Sequence, residues 1–168
     1  DKDKAKSIYS ESMMDKFGFN ERLIAYTKEE IATDVKSFTE VKYIFSTWYM
    51  PTFNEKEIRD YFPALEAVFY AAGTVKYFAE PFMKSGVKIF SAAKANGVPV
   101  AEFTASQIIL ANKGYFQAQK ECKRPFFKFS FNKARQIVYS KTGNYQARVG
   151  LIGAGAVGSK VVELLKPY

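Results

Sequence analysis

The sequence predicts an α/β fold: a parallel sheet wrapped by helices, followed by the opening strand–turn–helix unit of a second α/β domain. Three observations predict it. Over the first hundred residues, short β-rich runs alternate with helix-like stretches and the connections are short. Near the end, an apolar run leads through closely spaced glycines into an amphipathic stretch. Sixteen Phe and eleven Tyr supply enough aromatic area for a dense core.

The elements follow in order. Residues 6–10 read as a short strand, and residues 23–26 as another. Residues 28–38 carry Ile31, Val35 and Phe38 at helical spacing. Glu29 and Glu30 stand at the start of that stretch, where the helix dipole favours anions. Residues 41–46 are β-rich. Asn54 with Glu57 three residues on has the pattern of a capping box and predicts a short helix. Residues 66–70 form the next apolar run. A helix through residues 80–84 is expected to stop at Gly86. Residues 87–90 are again strand-like. Residues 98–118 then predict one long helix, apolar on so much of its surface that burial between layers is expected. Residues 120–146 form a basic, aromatic connector. Residues 148–152 predict a strand, and the helix after the glycines ends before Pro167.

Composition excludes several function classes. The chain has 168 residues, 48% hydrophobic and 25% charged, which fits a globular protein rather than a disordered one. No run reaches the roughly 18 apolar residues of a membrane span, and no secretory signal pattern is present near the start. One cysteine, Cys122, excludes an internal disulfide framework and fits a reducing compartment, so a cytoplasmic location is expected. There is no histidine, so His-based triads, His–metal sites and histidine acid/base catalysis are excluded for these residues. Lys120, Lys123 and Arg124 stand beside Cys122, but no base partner accompanies it and a catalytic role is not expected. No metal site is expected. The charge is uneven: residues 1–100 are neutral overall. Residues 101–168 hold eleven Lys/Arg against Glu102, Glu121 and Glu163.

The motif that carries chemistry is Gly153-x-Gly155-x-x-Gly158, after an apolar run and at the head of a helix. Gly153 permits a tight turn. Gly155 lets backbone approach a pyrophosphate, and Gly158 lets helix and strand pack closely. The N–H groups of Ala156 and Val157 open the helix and favour phosphate. The pattern reads as a dinucleotide-binding fingerprint, with an ordinary tight βα turn as the other reading. A ribose-binding Asp or Glu is expected about 20 residues further on. The sequence ends at Tyr168, so a front portion of a longer protein is expected.

A second stretch, Asn96-Gly97-Val98-Pro99-Val100-Ala101-Glu102, joins Ala71-Ala72-Gly73-Thr74-Val75 upstream and the fingerprint downstream. In this order the chain resembles the NAD(P)-dependent D-isomer-specific 2-hydroxyacid dehydrogenases, the group with phosphoglycerate, D-lactate and formate dehydrogenases. Asn96, Val100, Ala101 and Glu102 match the start of that family's interdomain helix. Residues 71–75 match its glycine loop, which offers backbone N–H groups to a substrate carboxylate. The resemblance implies a flavodoxin-like substrate domain followed by the start of a Rossmann domain. Residues 1–97 would be the front of the substrate domain, residues 98–146 the interdomain helix and basic arm, and residues 147–168 the opening of the NAD(P)-binding domain. It also implies NAD or NADP as cofactor, a small 2-hydroxy or 2-keto acid as substrate, and a homodimer formed partly through the arm.

By the same resemblance Ala72, Gly73 and Asn96 bind substrate. Gly153, Gly155, Ala156, Val157 and Gly158 hold the pyrophosphate. Asn96 is equally read as an N-cap of the helix that follows, Gly73 as a residue that merely ends a strand, and Glu102 as a helix-dipole partner. Two departures from the family pattern stand out. The family usually has an Asp two residues after the loop glycine, where this chain has Val75. The family's catalytic Arg, Glu and His would lie beyond residue 168. The competing function is a dinucleotide- or nucleic-acid-binding protein without catalysis. In it, the arm's cations would grip phosphates while Phe126, Phe127, Phe129, Phe131 and Tyr139 stack on bases.

Overall fold

The computed structural model describes residues 7–17, 24–125 and 127–168. They divide into two compact units, residues 1–96 and 97–168, and each is described by itself.

In the first unit, helix α1 (Glu11–Lys16) is followed by α2 (Lys28–Thr33) and a 3-10 turn (Val35–Phe38). Then come β1 (Tyr43–Ser46), α3 (Glu55–Tyr61), β2 (Ala67–Tyr70), α4 (Ala79–Lys84) and β3 (Lys88–Ser91). The three strands form a parallel sheet in the order β1-β2-β3. Tyr43 pairs with Ala67 and Tyr70 with Ser91. Successive side chains alternate between its faces. Val68 and Tyr70 enter a core with Ile58, Phe62, Phe78 and Phe82, supplied by α3, α4 and their flanking loops. The opposite face carries a stack across the strands: Phe45, Phe69 and Phe90, with neighbouring ring centroids 5.1 Å apart. The edge of the Tyr9 ring meets Phe45 at 5.6 Å, and its hydroxyl donates to the carbonyls of Ser46 and Phe69.

Local chemistry explains these elements. Asn54 caps α3 as expected: its side chain accepts from the Glu57 N–H and Glu57 accepts from the Asn54 N–H. Thr27 and Glu30 make a second capping box at α2. Lys28 ties the two boxes together, 2.7 Å from Glu57. These bonds hold the Glu57 carboxyl below its usual value, the Lys28 contact contributing most. Gly86 ends α4 with φ +83°, a conformation that side chains disfavour.

Several expected elements differ. Residues 6–10 are not a strand: Ser7 and Ile8 are helical, and Lys6 lies outside the described residues. The Ser10 hydroxyl accepts from the Met13 N–H instead, and this starts α1. Ile24–Tyr26 take no regular structure, and Leu23 lies outside the described residues. The Tyr26 ring packs edge-on against Phe38. The helix expected over residues 28–38 breaks at Asp34, whose φ and ψ are not helical.

In the second unit, α5 (Ala93–Asn112) begins five residues before the expected start at Val98, and its first residues lie in the first unit. Ala93, Lys94 and Ala95 are strong helix formers and extend it upstream. It runs through Pro99, which can donate no bond to the carbonyl four residues back. It stops at Asn112, because Gly114 turns the chain with φ +73° before α6 (Tyr115–Cys122). Burial on α5 is confined to Gly97, Ala101 and Ala105, a stripe of small residues four apart, while Phe103 is 66% exposed. The expected burial of the whole helix between layers is therefore not seen among the described residues.

The connector is folded: α7 (Phe127–Tyr139) packs on α6. Phe126 lies outside the described residues. Residues 148–152 are no strand, because a parallel strand exists only by pairing and no second strand of this unit is present among the described residues. The last helix, α8 (Ala156–Leu165), follows the glycine turn as expected.

Candidate functional site

The site residues expected from the sequence fall into two groups, one in each unit. In the first, β2 delivers the chain into the loop of residues 71–75 at the carboxyl end of the sheet, the end where open α/β folds bind ligands. Within this loop Ala72 is fully buried. Asn96 sits in the first turn of α5, and its N–H bonds the Ala92 carbonyl. Asn96 is thus inside the helix and is not its N-cap, which leaves its side chain free for other work. That side chain flanks Gly73: a Cβ on Gly73 would stand 3.3 Å from the Asn96 Nδ2 atom. A side chain at Gly73 would have to displace the Asn96 amide by a few tenths of an ångström. The N–H groups of Gly73, Thr74 and Val75 donate to no described residue.

Sequence reasoning missed Ser91, the last residue of β3. Its hydroxyl reaches both the Ala72 carbonyl, at 3.0 Å, and the Gly73 carbonyl, at 2.7 Å. The signal available was a polar residue ending a β-rich run one element after the glycine loop.

Tyr70 and Tyr77 border the same loop with their hydroxyls 3.5 Å apart. Burial, reinforced by Tyr77, pushes the Tyr70 phenol well above its usual range. Burial likewise pushes Tyr9 up to about 12. Both phenols remain protonated at neutral pH and offer O–H donors, not bases. No group of three or more His, Cys, Asp or Glu able to hold a metal ion occurs among the described residues.

The second unit holds the glycine turn. Gly153 has φ +87°. A Cβ on Gly158 would collide with the Gly153 carbonyl oxygen, so helix and loop meet there too closely for any side chain. A Cβ on Gly155 would meet nothing within 4 Å, so the space over this residue is open. Ser159 Oγ donates to the Ala154 carbonyl and ties the loop to the first helical turn. The first i→i−4 bond of α8 is from the Ser159 N–H to Gly155. The N–H groups of Ala156, Val157 and Gly158 therefore have no helical acceptor. No acidic residue stands in that first turn to repel an anion. These residues fit a pyrophosphate: a glycine cradle, open space and orphan N–H donors at a helix N-terminus. Val157 lies close to α5 at Gly97, its Cγ2 3.3 Å from where a Gly97 Cβ would be.

The chain shares its fold with an NAD-dependent dehydrogenase. The solved structure is an NAD-dependent formate dehydrogenase from Staphylococcus aureus in complex with NAD, with a TM-score of 0.60 and 18% identity. The match covers 98% of this chain and 47% of that one, so the chain spans about half the length of the dehydrogenase. Neither a protein-family model nor a curated protein matches the sequence. At 18% identity the likeness is one of fold. No helix among the described residues is long and apolar enough to cross a membrane.

Proposed function

We propose that this chain is the front portion of a cytoplasmic NAD(P)-dependent dehydrogenase acting on a small D-2-hydroxy acid and its 2-keto partner. In this reading the first unit is the front of a flavodoxin-like substrate domain. The observation that carries it is the turn at Gly153–Gly158, closed where helix and loop must touch and open where a pyrophosphate must approach. The shared fold with an NAD-bound dehydrogenase supports it.

In this reading Gly153, Gly155 and Gly158 shape the cofactor cradle, and the N–H groups of Ala156 and Val157 bond the pyrophosphate. The nicotinamide, when bound, supplies the hydride acceptor for alcohol oxidation and the donor for the reverse. The substrate carboxylate lies against the loop at Ala72 and Gly73, with the Asn96 amide beside it. The proton that balances hydride transfer needs an acid/base group. The described residues offer no histidine, and both buried phenols stay protonated. In the family resembled, that group and its Arg and Glu partners lie later in the chain. A homodimer formed partly through the exposed aromatics of α7 completes the reading.

The test is reduction of glyoxylate or pyruvate by the full-length protein, followed as loss of reduced-nicotinamide absorbance. Turnover with NADH or NADPH is expected. Absence of turnover with both nucleotides refutes the proposal.

A further inference from the structure

We propose that Ser91 is a positioning residue that aims two successive peptide N–H groups, those of Gly73 and Thr74, at a substrate carboxylate. The inference rests on the reading of residues 71–75 as the carboxylate site. Across a trans peptide bond the C=O and the following N–H point in opposite directions. The described residues contain no cis peptide bond. The Ala72 carbonyl shares its peptide plane with the Gly73 N–H, and the Gly73 carbonyl shares its plane with the Thr74 N–H.

Ser91 Oγ lies 3.0 Å from the first carbonyl oxygen and 2.7 Å from the second. One hydroxyl proton serves both as a three-centre bond. Both carbonyls therefore face the same atom. Both N–H groups leave the far side of their planes, where neither has a partner among the described residues. A pair of adjacent, unpaired N–H groups is a carboxylate acceptor site.

The hydroxyl is itself held by a rigid element. Ser91 pairs with Tyr70 in the ladder, and the next N–H, of Ala92, bonds the Tyr70 carbonyl at 3.0 Å. The sheet edge thus fixes Ser91, Ser91 fixes two peptide planes, and those planes present the donors. Removing the hydroxyl leaves the strand in place but frees the planes to rotate. The loss falls on carboxylate binding and spares nicotinamide binding.

The experiment uses the full-length protein with NADH and oxamate, a stable carboxylate mimic of a 2-keto acid. Backbone amide resonances of Gly73 and Thr74 are followed by NMR during the titration. In the wild type both are expected to shift. Ser91→Ala is expected to raise the oxamate Kd about tenfold, the scale of one lost hydrogen bond. Ser91→Thr, which keeps the hydroxyl, is expected to stay within about twofold of the wild type, and NADH affinity and Tm are expected to hold in both variants. Oxamate binding unchanged in Ser91→Ala overturns the inference. So do unmoved Gly73 and Thr74 amides in a wild type that still reduces glyoxylate, which leaves the dehydrogenase reading intact. Shifted amides and a weakened Ser91→Ala without any keto-acid turnover sustain the inference and refute the dehydrogenase. Absence of both binding and turnover overturns both.

Discussion

A Cβ placed on Gly158 would strike the carbonyl oxygen of Gly153. The contact is backbone against backbone, so neither side can move without opening the turn. Gly158→Ala should therefore lower the Tm of the protein and weaken NADH binding together, the latter by at least about tenfold, or 1.4 kcal/mol. Thermal unfolding and calorimetric titration measure the two effects. A variant with wild-type values for both would show that the turn tolerates a side chain.

Gly155 has the opposite environment, since its Cβ direction is open. Gly155→Val should leave Tm nearly unchanged and block the approach of the pyrophosphate. The expected loss of NADH and NADPH affinity is again about tenfold or more. Unchanged affinity for both nucleotides would remove the fingerprint from the proposed function.

The 3.3 Å gap between a Gly73 Cβ and Asn96 Nδ2 makes a third prediction. Gly73→Ala should push the amide aside and raise KM for the keto acid several-fold, while the Kd of NADH stays as it was. Initial rates over a range of glyoxylate concentrations separate these parameters. A rise in the NADH Kd with KM unchanged would dissociate this pair from the substrate.

The capping box at α3 makes the first unit sensitive to acid. Asn54→Ala removes the side-chain cap and should cost about 1 kcal/mol. The Glu57 carboxyl is held below its ordinary value in the folded state, through Lys28 first and the Asn54 N–H second. Its contribution is full above the unfolded value and is lost as pH falls through the folded one. Between pH 5 and lower values, on the order of the usual carboxylate range, the wild-type Tm should fall more steeply than that of Glu57→Gln. Parallel Tm curves for the two proteins would contradict this.

Phe129 is 75% exposed and Tyr139 72% exposed on α7, beside Phe131 at 48%. Exposed rings of this size on one helix favour a partner surface, and a two-fold copy would cover them. The double variant Phe129→Ser, Tyr139→Ser should convert a dimer to a monomer at micromolar concentration in light scattering. A monomeric wild type would exclude the dimer, and a dimeric variant would put the interface on another face.

The parts of this protein legible in its sequence are those set by bonds a few residues apart. The Asn54–Glu57 box, the stop at Gly86 and the turn from Gly153 into α8 are local, because a cap or a positive φ depends on adjacent backbone. The alternation of apolar runs likewise announced β1, β2 and β3 in order, since each strand buries one side on its own helices. Tertiary structure decided the rest. Residues 6–10 and 148–152 have strand-like composition, yet a strand is completed only by a neighbour's hydrogen bonds, and neither segment finds one among the described residues. The start of α5 moved upstream because alanine propensity outweighed Pro99 as a boundary signal. Ser91 lies eighteen residues from Gly73 in the sequence, and only the pairing of β2 with β3 carries its hydroxyl to the Ala72 and Gly73 carbonyls. Contacts made through the sheet have no period and no motif, so they enter only when the strands are in register.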